Sequence, residues 1–165
     1  MRWLLLAFFC VICPPAALGQ SANEYWVVGA AADHSDITFV DTARIERRGS
    51  IVRSWVATFF NPSDNDREYY EQIVSLYEYD CEGGRYRIIQ STAYGWNDEP
   101  HAGGTRWEWR YSTPDTHGER VLRFACAAPA AREEIGDFVL PPGISPREAA
   151  DHFFAGSEEL GARAR

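Results

Sequence analysis

The chain has 165 residues, 16 cationic side chains against 24 acidic ones and a net charge of −8. This length, with no apolar run of the roughly 20 residues that cross a bilayer, excludes a multi-domain enzyme, a collagen-like fibre and a helical membrane protein. The acidic balance argues against nucleic acid, whose phosphates demand a basic surface, and any partner held by net charge is expected to be basic. A hydrophobic content of 45% suffices for one buried core. Every cation is arginine and none is lysine, which removes Schiff-base chemistry.

Residues 1–19 carry Arg2, an apolar stretch from Trp3 to Cys13, the breakers Pro14 and Pro15, and small residues at Ala17 and Gly19. The pattern predicts a secretory signal peptide cut after Gly19, and so an exported protein of the periplasm, cell surface or medium. Cys10 follows Phe9 and Cys13 follows Ile12, not the small residue that a lipidated cysteine requires, so no lipid anchor is expected. The C-x-x-C spacing of Cys10 and Cys13 leaves with the signal. Cys81 and Cys126 then remain as an even pair in an oxidising compartment, which points to one disulfide, with two buried free thiols as the alternative. Removal of the signal leaves a mature charge of −9, and both the core and the C-terminal stretch are acidic.

From Glu24 onward, β-branched and aromatic runs alternate with turn signals. EYWVVG, ITFVD and IVRSWVATFF read as strands, with Ala43 to Ser50 carrying the turn at Gly49-Ser50 and an exposed Arg47-Arg48 pair. Asn61 to Asp66 reads as an exposed loop. YYEQIVSLYEYDC and RYRIIQSTAY flank Glu82-Gly83-Gly84, which predicts a hairpin. The polar stretch from Gly95 to Thr105 is expected to be a mobile loop. Trp107, Trp109 and Tyr111 then alternate with Glu108 and Arg110, giving a strand with an aromatic face, for which burial in the core is the expectation. Thr116-His117-Gly118-Glu119 fits a capping box, and Val121, Leu122, Ala125 and Cys126 share one helical face, so a helix is predicted from about Thr116 to Ala127. A disulfide from Cys126 to Cys81 would tie that helix to the sheet. Beyond Ala128, Ser145-Pro146-Arg147-Glu148 opens a short helix bearing Ala149, Phe153 and Phe154. Residues 128–165 are read as a C-terminal extension, partly disordered or loosely docked through Phe138, Val139, Phe153 and Phe154.

The chemistry of catalysis is not found. Asp33, His34 and Ser35 are neighbours in an extended segment and cannot form a relay. The four histidines lack ligand spacing, and Asp64, Asp66 and Glu68 lack the glycine and terminal glutamate of a calcium loop. No cofactor is expected and the chain is not read as an enzyme. The aromatics are the remaining signal. Trp96, in a polar stretch, and Tyr69 and Tyr70, beside Arg67 at the start of a strand, are the candidate partner-binding residues. A tryptophan-lined groove for sugar is the alternative.

The order Trp26-Val27-Val28, Phe39-Val40-Asp41, Ile45 with Gly49, Val52 to Trp55, Ser75 to Cys81, Arg85-Tyr86-Arg87, Tyr94, Trp107 and a final Cys126 resembles the bacterial surface-adhesin protein E family, over about Tyr25 to Ala127. The resemblance implies an α+β domain over residues 20–127, an antiparallel sheet of about six strands with a C-terminal helix packed on it. It also implies a non-enzymatic adhesion module that binds a protein partner, an extracellular matrix or serum protein, and a homodimer through sheet edges or faces. Of the basic stretch before the cysteine strand in that family, only Arg67 has a counterpart here. The remaining function classes are a periplasmic assembly protein and a small-molecule or sugar-binding domain.

Overall fold

The computed structural model describes residues 24–163 apart from 33, 63–69, 96 and 98. The expected signal segment therefore lies outside the described residues. Six strands run in chain order, β1 (Tyr25–Ala30), β2 (Asp36–Arg48), β3 (Ile51–Phe60), β4 (Gln72–Asp80), β5 (Arg85–Tyr94) and β6 (Pro100–Tyr111). Helix α1 (His117–Cys126), a 3-10 helix (Pro129–Glu134), strand β7 (Phe138–Val139) and helix α2 (Pro146–Arg163) follow. The sheet is an antiparallel meander in the order β6-β5-β4-β3-β2-β1-β7.

Four elements differ from the sequence expectation, the first being β2, which runs on as strand through Arg48 because Glu46, Arg47 and Arg48 ladder on Arg53, Val52 and Ile51. The sheet has seven strands, because Phe138 and Val139 of the extension pair with Val27 and Trp26; two residues are too short to show a period. The stretch expected as a loop from Gly95 to Thr105 becomes strand from Pro100, with Ala102, Gly103 and Gly104 laddered on Ala93, Thr92 and Ser91. Backbone pairing with β5 there outweighs the weak strand preference of its glycines. The second helix has 18 residues rather than being short.

Neighbouring residues on the inner strands face opposite layers, which is why β1 and β2 read as continuous apolar runs. Val28, Val40, Val52, Val56 and Tyr79 pack against Val121, Leu122, Phe124 and Ala125 of α1. Val27, Ile37, Phe39, Ala57 and Phe59 point the other way and meet Leu140, Ala150 and Phe154 of the extension. Phe39 and Phe59 touch edge to face at 5.7 Å, and each buried ring of this kind contributes about 1.5 to 3 kcal/mol through the area it removes from water.

Helix α1 begins where the sequence places it. Thr116 caps it by accepting the Glu119 amide at 3.3 Å, and the Glu119 carboxylate accepts the Asp115 amide at 2.9 Å. At its other end Cys126 is bonded to Cys81, with Cα atoms 5.6 Å apart, so the helix is tied to the end of β4. Arg47 donates to the Cys126 carbonyl at 2.5 Å and satisfies one of the acceptors left over by the last turn. The chain then crosses Trp26 at Gly136, where a Cβ would lie 2.7 Å from the indole, so only glycine passes.

Candidate functional site

Helix α2 covers only part of its sheet face. Over β1, β2 and the Phe59 end of β3 the extension packs on the face, leaving one cleft; toward β4, β5 and β6 the face is open and its residues change from apolar to charged and aromatic. The pairing register aligns Arg53 with Glu78 and Glu78 with Arg87 across three strands. Glu78 is 3% exposed and receives both guanidinium groups. Arg53 donates through Nε at 2.7 Å, and Arg87 donates through Nε at 2.7 Å to the other oxygen, with a second contact from its Nη2. Burial alone would raise the Glu78 carboxyl, but the hydrogen bonds and charges of Arg53 and Arg87 outweigh it and hold the group below the ordinary glutamate value. One carboxylate thus serves two cations, and a positive charge is left over.

The next pair along the hairpin is balanced. Arg85 Nε donates to Asp80 at 2.9 Å, and the Gly83 amide donates to the other Asp80 oxygen at 3.0 Å. The Gly83 amide, followed by Arg85, lowers the Asp80 carboxyl from its usual value. Beyond these arginines lies the indole of Trp109, with the Arg85 and Arg87 guanidinium carbons 5.1 and 4.6 Å from its ring centre. Arg87 also stands 5.9 Å from the Trp107 ring. Such stacking fixes the guanidinium planes and leaves their remaining donors toward solvent.

Strand β6 bulges at this point. Arg110 pairs with Tyr86 and Arg106 with Ile88, so four steps along β6 match two along β5, and Trp107, Glu108 and Trp109 fall in the surplus. A bulge re-aims side chains at a sheet edge. Trp107 is 57% and Tyr111 75% exposed. The expectation that this aromatic face lies in the core is therefore wrong, because α2 does not reach the edge strand. Period two shows that three aromatics share a face, and it does not say whether anything covers that face. The sequence signal that bears on it is the flanking of each ring by Arg106, Glu108 and Arg110, together with Arg85 and Arg87 on the neighbouring strand.

At the opposite end of β6, exposed Tyr70 meets the His101 ring edge-on at 6.4 Å. That ring also lies against Gly95, where a Cβ would sit 2.5 Å from Nε2. Tyr70 thus lies against the edge strand. Arg67, Tyr69 and Trp96, the other candidate partner-binding residues, lie outside the described residues. Among the described residues no group of three or more His, Cys, Asp and Glu is placed to hold a metal ion.

A cleft of about 300 Å³ opens under the start of α2, lined by Tyr25, Trp55, Phe59, Val74, Arg44 and Arg147. Its cationic heads are engaged by the protein itself. Arg44 pairs with the buried Asp41 at 3.2 Å, and Arg147 contacts Glu71 and, at 3.4 Å, Gln72. Burial raises the Asp41 carboxyl despite Arg44, and burial followed by the Asp41 charge raises the Tyr25 phenol.

The model of the surface-adhesin protein E family matches residues 26–127, from β1 to the end of α1. The chain belongs to the surface-adhesin protein E family. The match covers the six-strand meander, both cysteines and the arginine and aromatic surface of β5 and β6, whereas β7 and α2 lie beyond it. No curated protein matches the chain. Membership implies a protein of the cell surface or extracellular space with a non-enzymatic role. Among the described residues no helix is long and apolar enough to cross a membrane.

Proposed function

We propose that this adhesin E-type protein is exported through its first 19 residues and works as a non-enzymatic protein-binding module. Its partner is a protein of the extracellular matrix or serum, met through the open arginine and aromatic surface of β5 and β6, with Tyr70 at its far end. The observation that carries this reading is the exposure of Trp107 and Tyr111 beside a Trp109 ring that two arginines flank. Tryptophan, tyrosine and arginine are the residues that dominate protein interfaces. The test is binding of the mature protein to a panel of matrix and serum proteins. Saturable binding that Trp107→Ala weakens supports the reading, and no saturable binding to any member sinks it. Sedimentation of the mature protein tests the homodimer that the family resemblance implies, and a single monomer boundary would remove it.

A second reading, a periplasmic assembly role for the extension, draws on exposed Phe138 and Val139 of β7 at the opposite edge. Protease added to intact cells separates the two. Destruction of the protein favours the surface, and protection favours the periplasm.

A further inference from the structure

The net charge of the chain misdescribes this face. Arg48, Arg53, Arg85 and Arg87 stand with Glu46, Glu78 and Asp80 on the open face, and Trp107 and Trp109 of β6 border them. Four arginines thus meet three carboxylates, so this strip carries a surplus cation in a chain whose net charge is −8. At one end of this strip Glu46, Arg48, Ile51, Arg53 and Glu78 line a cleft of about 200 Å³. At the other end stand Trp107 and Trp109, in reach of Arg87. Glu78 links the ends, since it lines the cleft and holds Arg87 in place over Trp109.

We propose that this strip docks an acidic peptide segment of the protein partner, with an apolar anchor side chain in the cleft over Ile51. Its carboxylates meet Arg48, Arg53 and Arg87, and a second apolar residue lies on Trp107. The occupant follows from the chemistry of the strip. The surplus guanidinium charge calls for carboxylates, to which planar forks donate in two-bonded geometry. The exposed rings and the cleft call for apolar side chains between those carboxylates, which a peptide carries and a uniformly anionic polymer does not. A partner of this kind is opposite to the basic one that net charge suggests, because a Debye length of about 8 Å at physiological salt makes local charge decide. This inference rests on the protein-binding reading above and names the chemistry of the bound segment.

The experiment titrates the mature protein with three probes, an alternating Glu-Leu peptide, its Lys-Leu counterpart and heparin, followed by calorimetry and tryptophan fluorescence. The expected result is binding of the Glu-Leu peptide at least about tenfold tighter than the Lys-Leu peptide, weakening steeply with salt. Arg48→Glu, an exposed change, is expected to cost about tenfold in affinity, and Trp107→Ala several-fold. Equal binding of the two peptides, or no binding of either, overturns the proposal. Heparin binding without Glu-Leu binding overturns it in favour of an anionic glycan. If a matrix or serum protein binds while the peptides fail, the adhesion reading stands and the acidic segment falls. If the Glu-Leu peptide binds while every member of the panel fails, the reverse holds.

Discussion

Strand β3 passes through two different environments on one face of the same sheet. At Phe59 and Ala57 it lies beneath Phe154, Ala150 and Leu140, in an apolar cluster bordered by Arg147. At Arg53 and Ile51, about 20 Å along a strand that rises some 3.3 Å per residue, it faces a charged strip and open solvent. The covered half holds the fold together through area removed from water. The open half holds its shape through Glu78, whose two arginines fix the neighbouring strands without covering them. The difference shows that the cover, rather than the strand pattern, decides which half is available to a partner.

Truncation in the covered half has the largest expected effect. Phe39→Ala removes a fully buried ring and should lower unfolding stability by about 3 to 5 kcal/mol in urea titration. The disulfide comes next. Replacing Cys81 and Cys126 by serine frees a 45-residue separation in the unfolded chain and should cost about 3 to 4 kcal/mol, read as a lower denaturation midpoint. Loss of the cap in Thr116→Ala should cost about 1 kcal/mol. At the small end, Trp107→Ala should change stability by no more than about 0.5 kcal/mol while weakening partner binding, which is the contrast with Phe39 in one pair of variants.

Acid titration sets one carboxylate from each half against the other. Glu78 titrates below its unfolded value, so its stabilisation is present above about pH 4.3 and is lost as the pH falls through its folded value. Asp41, beside the cleft under α2, titrates above its unfolded value. Its contribution is favourable while it is protonated and declines as pH rises from about 3.9 through its folded value. Glu78→Gln should therefore flatten the acid loss of stability, and Asp41→Asn should steepen it. Denaturation midpoints across the acid range check both, and the same direction of change for the two variants would refute the assignment.

Most of the framework was legible in sequence. The capping box at Thr116 and the hairpin at Gly83-Gly84 rest on short-range chemistry, the pairing of Cys81 with Cys126 rests on the count of cysteines left after the signal, and each is where the residues placed it. What escaped depends on distant partners. Pro100 to Thr105 is strand because Ala93 to Ser91 offers it a ladder, and no feature of its own glycines says so. Phe138 and Val139 are strand because β1 has a free side to receive them. The arginine and aromatic surface was half legible. Arg85 and Arg87 alternate with Tyr86, and Trp107 alternates with Glu108, but the chain order does not reveal that both arginines stack on Trp109 or that Arg53 reaches the same carboxylate.

The surplus residues of β6 also govern how copies of this protein behave when crowded together on a surface. A long edge in even register is a template on which identical edges stack without limit. Here the ladder breaks its step three times along β5 and β6, so a facing strand that matches one stretch falls out of phase with the next. The irregularity that lifts the tryptophans into solvent thus also opposes growth of the sheet from one molecule to the next, and a sticky edge is kept from becoming the seed of a fibril.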